Sequence, residues 1–244
     1  MHGHDRLADL LILERAQPAG PRGRVDLDPG ADRLDDQNVG QAGRDCLSAG
    51  AQLKAVPGQL RAINGDAADP AAVHRVVRGQ QAVIVTLGIS ENALRVRFLG
   101  ASGTPMDVRS RGTRNVITAM RQHGVGKLVV QTTYGAGATR DQLPPLYRLI
   151  FWLVLRPQIA DTEQQERAVR ASGLDWVIAQ PVSLTDDPHQ GLPFASPTGE
   201  LGGMKVSRAS VGRFLVQAAE SSEFVGASVA LSADAPVPAT VVAA

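Results

Sequence analysis

Small, acidic and hydroxyl-bearing residues follow four apolar stretches of the sequence, and their chemistry suits ligand binding. They are Gly65-Asp66, Thr86–Gly88, Gln131–Tyr134 and Gln180-Pro181. Carboxylate and hydroxyl oxygens can hydrogen-bond a flat ligand, and glycine lets it approach the backbone closely. Glycine and threonine also end strands for structural reasons alone, so each position taken singly is ambiguous. The four together favour a ligand groove.

Helices are predicted between these strands from their start and stop signals. Asp69 and Pro70 are typical of an N-cap and a first helical position, and Gly79 is predicted to end that helix. Asp161, with Gln164 three residues later, predicts the start of another helix. Strands that alternate with helices of about a dozen residues predict parallel βαβ units. We therefore expect an α/β protein with a doubly wound parallel sheet in a three-layer αβα domain, with ligands beyond the carboxyl ends of the strands.

The first part of the chain differs in composition from the rest. The stretch "AQPAGPRGRVDLDPGADRLDDQ" is rich in Arg, Asp, Gly and Pro and has neither a strand nor a helix period. We divide the chain into an atypical segment at residues 1–37, a folded domain at residues 38–235 and a tail at residues 236–244. The atypical segment is interpreted as either disordered or read out of frame.

Charge and cysteine content exclude several classes of partner. The chain carries 25 basic and 24 acidic residues, a net charge of +1, which gives no electrostatic reason to expect nucleic acid or a membrane surface. Cys46 is the only cysteine, so neither a disulfide framework nor a cysteine metal site is predicted, and we expect no metal. The N-terminal residues lack the pattern of a signal peptide, so we expect a cytoplasmic protein.

Two other segments are interpreted structurally. Residues 146–155, "LYRLIFWLVL", are too short to span a bilayer and contain Arg148, so we expect an apolar wall beside the ligand or a dimer contact. The protein is accordingly expected to be a monomer or a homodimer. Glu163 and Glu166 lie one helical turn apart and are interpreted as a solvated face.

Three runs of the sequence carry a family resemblance. "INGDAADPAAVHRVVRGQQAVIVTLG", "GTRNVITAMRQHGVGKLVVQTT" and "ADTEQQERAVRASGLDWVIAQPVSLTD" resemble the NAD(P)H-binding, NmrA-like branch of the atypical short-chain dehydrogenases. The flavin reductase or biliverdin reductase B type is the most similar, and the resemblance covers roughly residues 38–235. It implies a Rossmann-like fold, a nicotinamide cofactor and oxidoreductase activity.

The resemblance implies an adenosine side of the cofactor site. Asp66 and Ala67 would face the adenine ring, where a carboxylate can accept a hydrogen bond from the amino group. Leu87 and Gly88 would lie along the adenosine and its ribose.

It also implies a nicotinamide side. Thr132 and Thr133 stand where the family has a Ser/Thr pair beside the nicotinamide, and Pro181 would follow the carboxamide. Neither Tyr134 nor Tyr147 has a lysine four residues later, so proton transfer by a tyrosine–lysine pair is not predicted. Thr133 is the candidate catalytic residue, as the group that orients cofactor or substrate; the alternative is a strand-end hydroxyl bonded to the backbone.

The glycine fingerprint of the family is incomplete in this chain. The spacing from Gly40 to Gly50 matches the interval between the third fingerprint glycine and the end of the first helix in the family, so Gly40 takes the third position. The two earlier glycines and the strand before them are absent from residues 1–37. We expect weaker binding of the cofactor pyrophosphate, because that loop would supply its main backbone donors.

The predicted second strand bears on the choice of cofactor. An acidic residue at its end usually holds the ribose of NAD, whereas "QLKAVPGQLR" offers Lys54 and Arg61 and no acid. This favours NADP(H) over NAD(H), with Lys54 beside the phosphate. A solvent-facing Lys54 is the alternative, and relatives carry an arginine where this chain has Pro57-Gly58.

The sequence supports three functional hypotheses. The first is an NAD(P)H-dependent oxidoreductase that passes hydride to a small, flat acceptor such as a flavin or a quinone. The second is a non-catalytic redox sensor that binds the dinucleotide without turnover. The third is a truncated, inactive relative.

The reading-frame interpretation of residues 1–37 is testable at the level of DNA. Sequencing the locus should show a coding stretch, in another frame, for an apolar strand followed by G-x-x-G-x-x-G. An unbroken frame with no such strand in any other frame would reject the interpretation.

Overall fold

A computed structural model describes Leu10-Leu11, residues 65–88, 106–143, 148, 156–188 and 191–235. All of these residues belong to one compact unit. Gly40, Lys54, the helix and strands predicted between residues 38 and 64, most of the 146–155 segment and the tail lie outside the described residues. The same holds for residues 1–37 apart from Leu10 and Leu11.

The described secondary structure contains eight strands and four α-helices. The strands are β1 (Leu10–Leu11), β2 (Ala82–Val85), β3 (Lys127–Gln131), β4 (Asp175–Pro181), β5 (Ser183–Thr185), β6 (Phe194–Ser196), β7 (Lys205–Ser207) and β8 (Ala227–Ser232). The α-helices are α1 (Pro70–Val77), α2 (Val108–His123), α3 (Arg156–Arg170) and α4 (Arg208–Glu220). A 3₁₀ helix spans Gly137–Gln142.

The main sheet has the order β1-β2-β3-β4-β8-β6, and β5 pairs with β7 separately. β2, β3, β4 and β8 are mutually parallel, whereas β1 and β6 pair antiparallel with β2 and β8. The central strands are continuous apolar runs buried on both faces, as parallel sheets require. The predicted parallel α/β architecture is confirmed.

Helices cover both faces of the sheet. Val73, Val116 and Val169, from α1, α2 and α3, pack in one core cluster with Leu128 and Ile178 of the sheet. α4 contributes to a second cluster, on β2, β3, β4 and β8, through the side chains of Val211, Phe214, Leu215 and Ala218. The predicted three-layer arrangement is therefore present in the described residues.

Two of the predicted helix boundaries follow local rules closely. The Asp69 carboxylate accepts hydrogen bonds from the backbone N–H groups of Ala71 and Ala72 at 2.9 and 3.3 Å, with Pro70 as the first helical residue. Gly79, with φ of 80°, follows α1, and Gly124, with φ of 70°, ends α2. Glycine is favoured at both positions because other residues resist the left-handed conformation.

The predicted start of α3 at Asp161 is wrong. α3 begins at Arg156, and Asp161 lies inside it, 6% exposed. Its carboxylate accepts hydrogen bonds from the backbone N–H groups of Arg109 and Ser110, at 3.0 and 3.2 Å. Asp107, at the N-cap position of α2, makes no side-chain cap bond. A neighbouring helix thus satisfies two of the free N–H groups of α2, which a local pattern cannot reveal.

None of the helices in the part of the chain that the structure describes is long and apolar enough to cross a membrane.

Replacing Asp161 should destabilise the fold by removing this inter-helical cap. We expect Asp161→Ala to lower the free energy of unfolding by about 1–3 kcal/mol, because two backbone donors lose their acceptor and the adjacent Arg109 loses a nearby negative charge. Asp107→Ala is the matched control and should change stability by about 0.5 kcal/mol or less. Urea unfolding followed by circular dichroism measures both. Equal losses in the two variants would contradict the assignment.

Candidate functional site

The pairing of the parallel strands places several predicted site residues at one edge of the sheet. Val85 lies opposite Val130, and Gln131 lies opposite Ala179. Leu87 and Gly88 therefore leave β2 at the same edge at which Thr132 and Thr133 leave β3 and Pro181 ends β4. We call this region the carboxyl edge.

The backbone holds Thr132 and Thr133 beside the end of β4. The Thr132 N–H donates to the Ala179 carbonyl at 2.8 Å, and the Tyr134 N–H donates to the Pro181 carbonyl at 2.9 Å. Pairing with β4 thus continues past the end of β3. Thr132, Thr133 and Pro181 consequently lie side by side at the edge.

Asp66 and Ala67 join this edge through α2. The Ala67 carbonyl accepts a hydrogen bond from Asn115 Nδ2 at 2.9 Å. A Cβ on Gly112 would lie 2.5 Å from Leu87 Cδ1 and 3.1 Å from Ala67 Cβ, so both loops pack against the same helical glycine. Gly112 therefore allows the Asp66-Ala67 and Leu87-Gly88 loops to approach each other.

The four adenosine-side residues differ in what they can offer a ligand. Ala67 and Leu87 are each 2% exposed, and their carbonyl oxygens already accept hydrogen bonds from Asn115 and Arg109, so neither side chain is open to a ligand. The Asp66 side chain is exposed, and its Oδ1 accepts from the Ala68 N–H at 2.8 Å, which leaves the other carboxylate oxygen available. Gly88 is half-buried and presents bare backbone. Their roles toward adenosine stay predictions.

Sequence reasoning missed Arg109, which reaches the carboxyl edge from the first turn of α2. Its Nε donates to the Leu87 carbonyl at 3.1 Å, and its Nη1 donates to Thr162 Oγ1 at 3.2 Å. Burial lowers the pKa of Arg109, and the negative charge of Asp161 opposes that effect. The run "DVRSRGTR" contains three arginines, and nothing in it distinguishes Arg109 from the exposed Arg111 and Arg114.

A buried polar network lies directly behind Thr132. Glu166 is fully buried, and its Oε1 accepts from Thr132 Oγ1 and Gln180 Nε2, each at 2.8 Å. Its Oε2 pairs with Arg170 Nη2 at 2.8 Å, and Gln180 Nε2 also donates to the Ala136 carbonyl at 2.9 Å. The network holds the Thr132 hydroxyl in one orientation, with its proton directed at Glu166.

The interpretation of Glu163 and Glu166 as one solvated face is therefore wrong for Glu166. Glu163 does lie at the surface, where it pairs with the exposed Arg140 at 3.2 Å. The carboxylate of Glu166 is instead buried against the sheet, where it contacts Thr132, Gln180 and Arg170. The i,i+4 spacing of Glu166 and Arg170 was the signal available in the sequence.

The two threonines of the edge are in different states. The hydroxyl of Thr132 is committed to Glu166, but its oxygen can still accept a hydrogen bond. The hydroxyl of Thr133 is half-buried and donates to the Tyr134 carbonyl at 3.3 Å, a long bond that a ligand could replace. The catalytic assignment of Thr133 stays a prediction.

Tyr134 is structural in this arrangement. It is 4% exposed, its hydroxyl donates to the Gly199 carbonyl at 3.1 Å, and burial raises its pKa. A tyrosine that passes protons needs the opposite shift and access to the ligand.

A cleft of about 500 Å³ is lined by none of the described residues that the sequence assigns to the cofactor site. Trp176 and Gly226–Ser228, at the amino ends of β4 and β8, line it together with Arg170 and residues of the 3₁₀ helix.

A sequence model described as NAD(P)H-binding matches residues 44–222. The chain belongs to this NAD(P)H-binding family. The match covers most of the chain and includes every described residue of the carboxyl edge. It confirms the expected nicotinamide-dinucleotide-binding family.

A plant relative is similar over part of the chain. An uncharacterized chloroplastic protein of Arabidopsis thaliana is 32% identical over 139 residues, which make up 54% of this chain. The chain spans about half, 48%, of the length of that relative.

Three solved structures share the fold at low sequence identity. A wide-type short-chain dehydrogenase/reductase from Veillonella parvula in complex with NADP has a TM-score of 0.56 and 17% identity, covering 75% of each chain. The oxidoreductase YlbE of Lactococcus lactis has a TM-score of 0.57 and 13% identity, covering 82% of this chain and 89% of its own. The anaerobilin reductase ChuY of Escherichia coli O157:H7 has a TM-score of 0.52 and 18% identity, covering 80% and 83%.

Removing the charge of Glu166 should weaken the structure behind the edge. We expect Glu166→Gln to lower the free energy of unfolding by about 1.5–3 kcal/mol, because buried hydrogen bonds lose their charged acceptor and Arg170 loses its partner. Glu163→Gln, one turn earlier, removes only a surface ion pair and should cost about 0.5 kcal/mol or less. Denaturant unfolding compares the two. A Glu166→Gln loss no larger than that of the control would show that the network contributes nothing.

Proposed function

We propose that this protein is an NAD(P)H-dependent oxidoreductase that passes hydride to a small, flat acceptor such as a flavin or a quinone. The observation that carries the proposal is the strand register, which gathers Gly88, Thr132, Thr133 and Pro181 at one edge in a member of an NAD(P)H-binding family. Ligands of doubly wound sheets bind at such an edge.

The described residues suit the two ends of a dinucleotide. Asp66 can accept from the adenine amino group, and Gly88 leaves the backbone open to close approach. Thr132 and Thr133 offer oxygens to the carboxamide of the nicotinamide. Gly40 and Lys54, which we assign to the phosphates, lie outside the described residues.

NADPH, when bound, supplies the hydride. The part of this chain is to hold the acceptor against the nicotinamide and to exclude water, since flavin and quinone reduction can take protons from solvent. Thr133 has the hydroxyl that is free to reorient, so we assign it to orienting cofactor or acceptor. Tyr134 takes no part, because its hydroxyl is bonded to Gly199.

NADP(H) is the favoured cofactor because residues 52–61, around the predicted second strand, contain no acidic residue that could hold the ribose of NAD. The same stretch carries Lys54 and Arg61, which can bind the extra phosphate of NADP. The structures of the Veillonella parvula NADP complex and of anaerobilin reductase share this fold, which is compatible with a reductase. We further propose a cytoplasmic monomer or homodimer.

A dinucleotide sensor without turnover is the second candidate. The commitment of Tyr134 to Gly199, together with the lack of a Tyr-x-x-x-Lys pair, favours it. A sensor would bind NADPH and NADP⁺ with different effects on a protein partner and would not oxidise the reduced form.

Turnover with a panel of acceptors separates these candidates. We expect the purified chain to oxidise NADPH faster than NADH when flavin or quinone is present, measured by absorbance at the nicotinamide band. Binding of NADPH in calorimetry without turnover on any acceptor would reject the reductase in favour of the sensor. Absence of both binding and turnover would indicate an inactive relative.

The role of Thr133 has its own test. Thr133→Val, which removes the hydroxyl at nearly constant volume, should lower kcat/KM by about tenfold to a hundredfold if the hydroxyl orients a ligand. Thr133→Ser should retain most activity. Thr118→Val is the control, because Thr118 is exposed on α2 and its hydroxyl donates to the Arg114 carbonyl of the same helix. Unchanged kcat/KM in Thr133→Val would leave Thr133 as a structural strand end.

A further inference from the structure

The guanidinium of Arg109 lies at the carboxyl edge beside Gly88. Its Nε is held by the Leu87 carbonyl and its Nη1 by Thr162 Oγ1, so the end of β2 and the side of α3 fix its plane. A Cβ on Gly88 would lie 3.3 Å from Nη2. Because Gly88 has no side chain, it does not cover the Nη2 side of the guanidinium.

Arg109 has donors that the described residues do not use. A guanidinium carries five N–H groups, and Arg109 makes two hydrogen bonds from its side chain, through Nε and Nη1. Nη2 makes no hydrogen bond to any residue that the structure describes. Nη1 and Nη2 together form the fork that binds carboxylate or phosphate through two parallel hydrogen bonds.

No acid among the residues that the structure describes forms an ion pair with the Arg109 guanidinium. Both of its side-chain acceptors, the Leu87 carbonyl and the Thr162 hydroxyl, are neutral. Asp161 is close enough to act on its charge, but the Asp161 oxygens accept the backbone N–H groups of Arg109 and Ser110. A desolvated guanidinium with free donors gains more from an anion than a solvated one does.

We propose that Arg109 binds an oxyanion, a phosphate or a carboxylate, of the ligand that occupies the carboxyl edge. The inference rests on the proposed function in that the ligand is the dinucleotide or its acceptor. A phosphate would come from the dinucleotide, and a carboxylate would come from the acceptor. In the second case the acceptors of this protein are flat molecules that carry an acidic group.

The first N–H groups of α2 are not the site. The backbone N–H groups of Arg109 and Ser110 already donate to the Asp161 carboxylate, so they are not available to an anion. The side chain of Arg109 is therefore the group to vary. Arg111, exposed on the same helix, provides the matched control.

Calorimetric titration of the full chain with NADPH, inorganic pyrophosphate and benzoate tests the proposal and identifies the source of the oxyanion. Arg109→Gln should weaken binding by about tenfold to a hundredfold, the effect expected for charged hydrogen bonds. A loss for NADPH and pyrophosphate indicates a phosphate, and a loss for benzoate indicates a carboxylate. Arg109→Lys should restore part of the affinity, and Arg111→Gln should change it by about twofold or less.

A second variant covers the case in which Arg109→Gln does not fold. Gly88→Val keeps the charge and places a side chain against Nη2, so it should cause the same selective loss. Wild-type affinity for all three probes in a folded Arg109→Gln or Gly88→Val variant, or no binding of any probe by the wild-type chain, would overturn the proposal. Because the readout is binding, an Arg109-dependent affinity without turnover would refute the reductase alone.

Discussion

Parallel pairing of β2, β3 and β4 is the constraint on which the carboxyl edge depends. Their apolar side chains are buried on both faces, so a shift in register would expose a buried set of side chains and bury the polar residues that follow the strands. The same pairing that stabilises the core therefore places Gly88, Thr133 and Pro181 at one edge. The strand topology by itself therefore creates a position for a ligand, whichever side chains line it.

α3 supports that edge from one side and links its parts. Asp161 caps α2, Thr162 holds Arg109, and Glu166 holds Thr132. These three residues lie within two turns of one helix, and all three are buried. A displacement of α3 would therefore alter the hydroxyl of Thr132 and the guanidinium of Arg109 together, which couples the end of β2 to the end of β3.

Features set by neighbouring residues were predictable from the sequence, and features set by distant partners were not. Asp69, Pro70 and Gly79 act within one turn of their own helix, so local capping rules located them correctly. Asp161 fits the same rule but serves another helix, and Glu166 resembles a surface residue until Thr132 and Gln180 are brought against it. Arg109 had no local signal, because its partners come from β2 and α3. The roles of Gly40 and Lys54 stay predictions, since both lie outside the described residues.

Because the glycine fingerprint is incomplete, the positive potential that attracts an anionic ligand has to come from other groups. In the complete motif, backbone N–H groups of the first loop and helix surround the pyrophosphate. Here the outer side of β2 pairs with Leu10–Leu11, antiparallel and over two residues, rather than with a parallel fingerprint strand among the described residues. The guanidinium of Arg109, held by the Leu87 carbonyl, is a cation that lies at that edge of the ligand site. Arg109 differs from a backbone loop in charge and in geometry: it carries a full positive charge, spread over a planar fork that can donate two parallel hydrogen bonds to an oxyanion. Such a site would retain selectivity for anionic ligands even where the ring of backbone donors is incomplete.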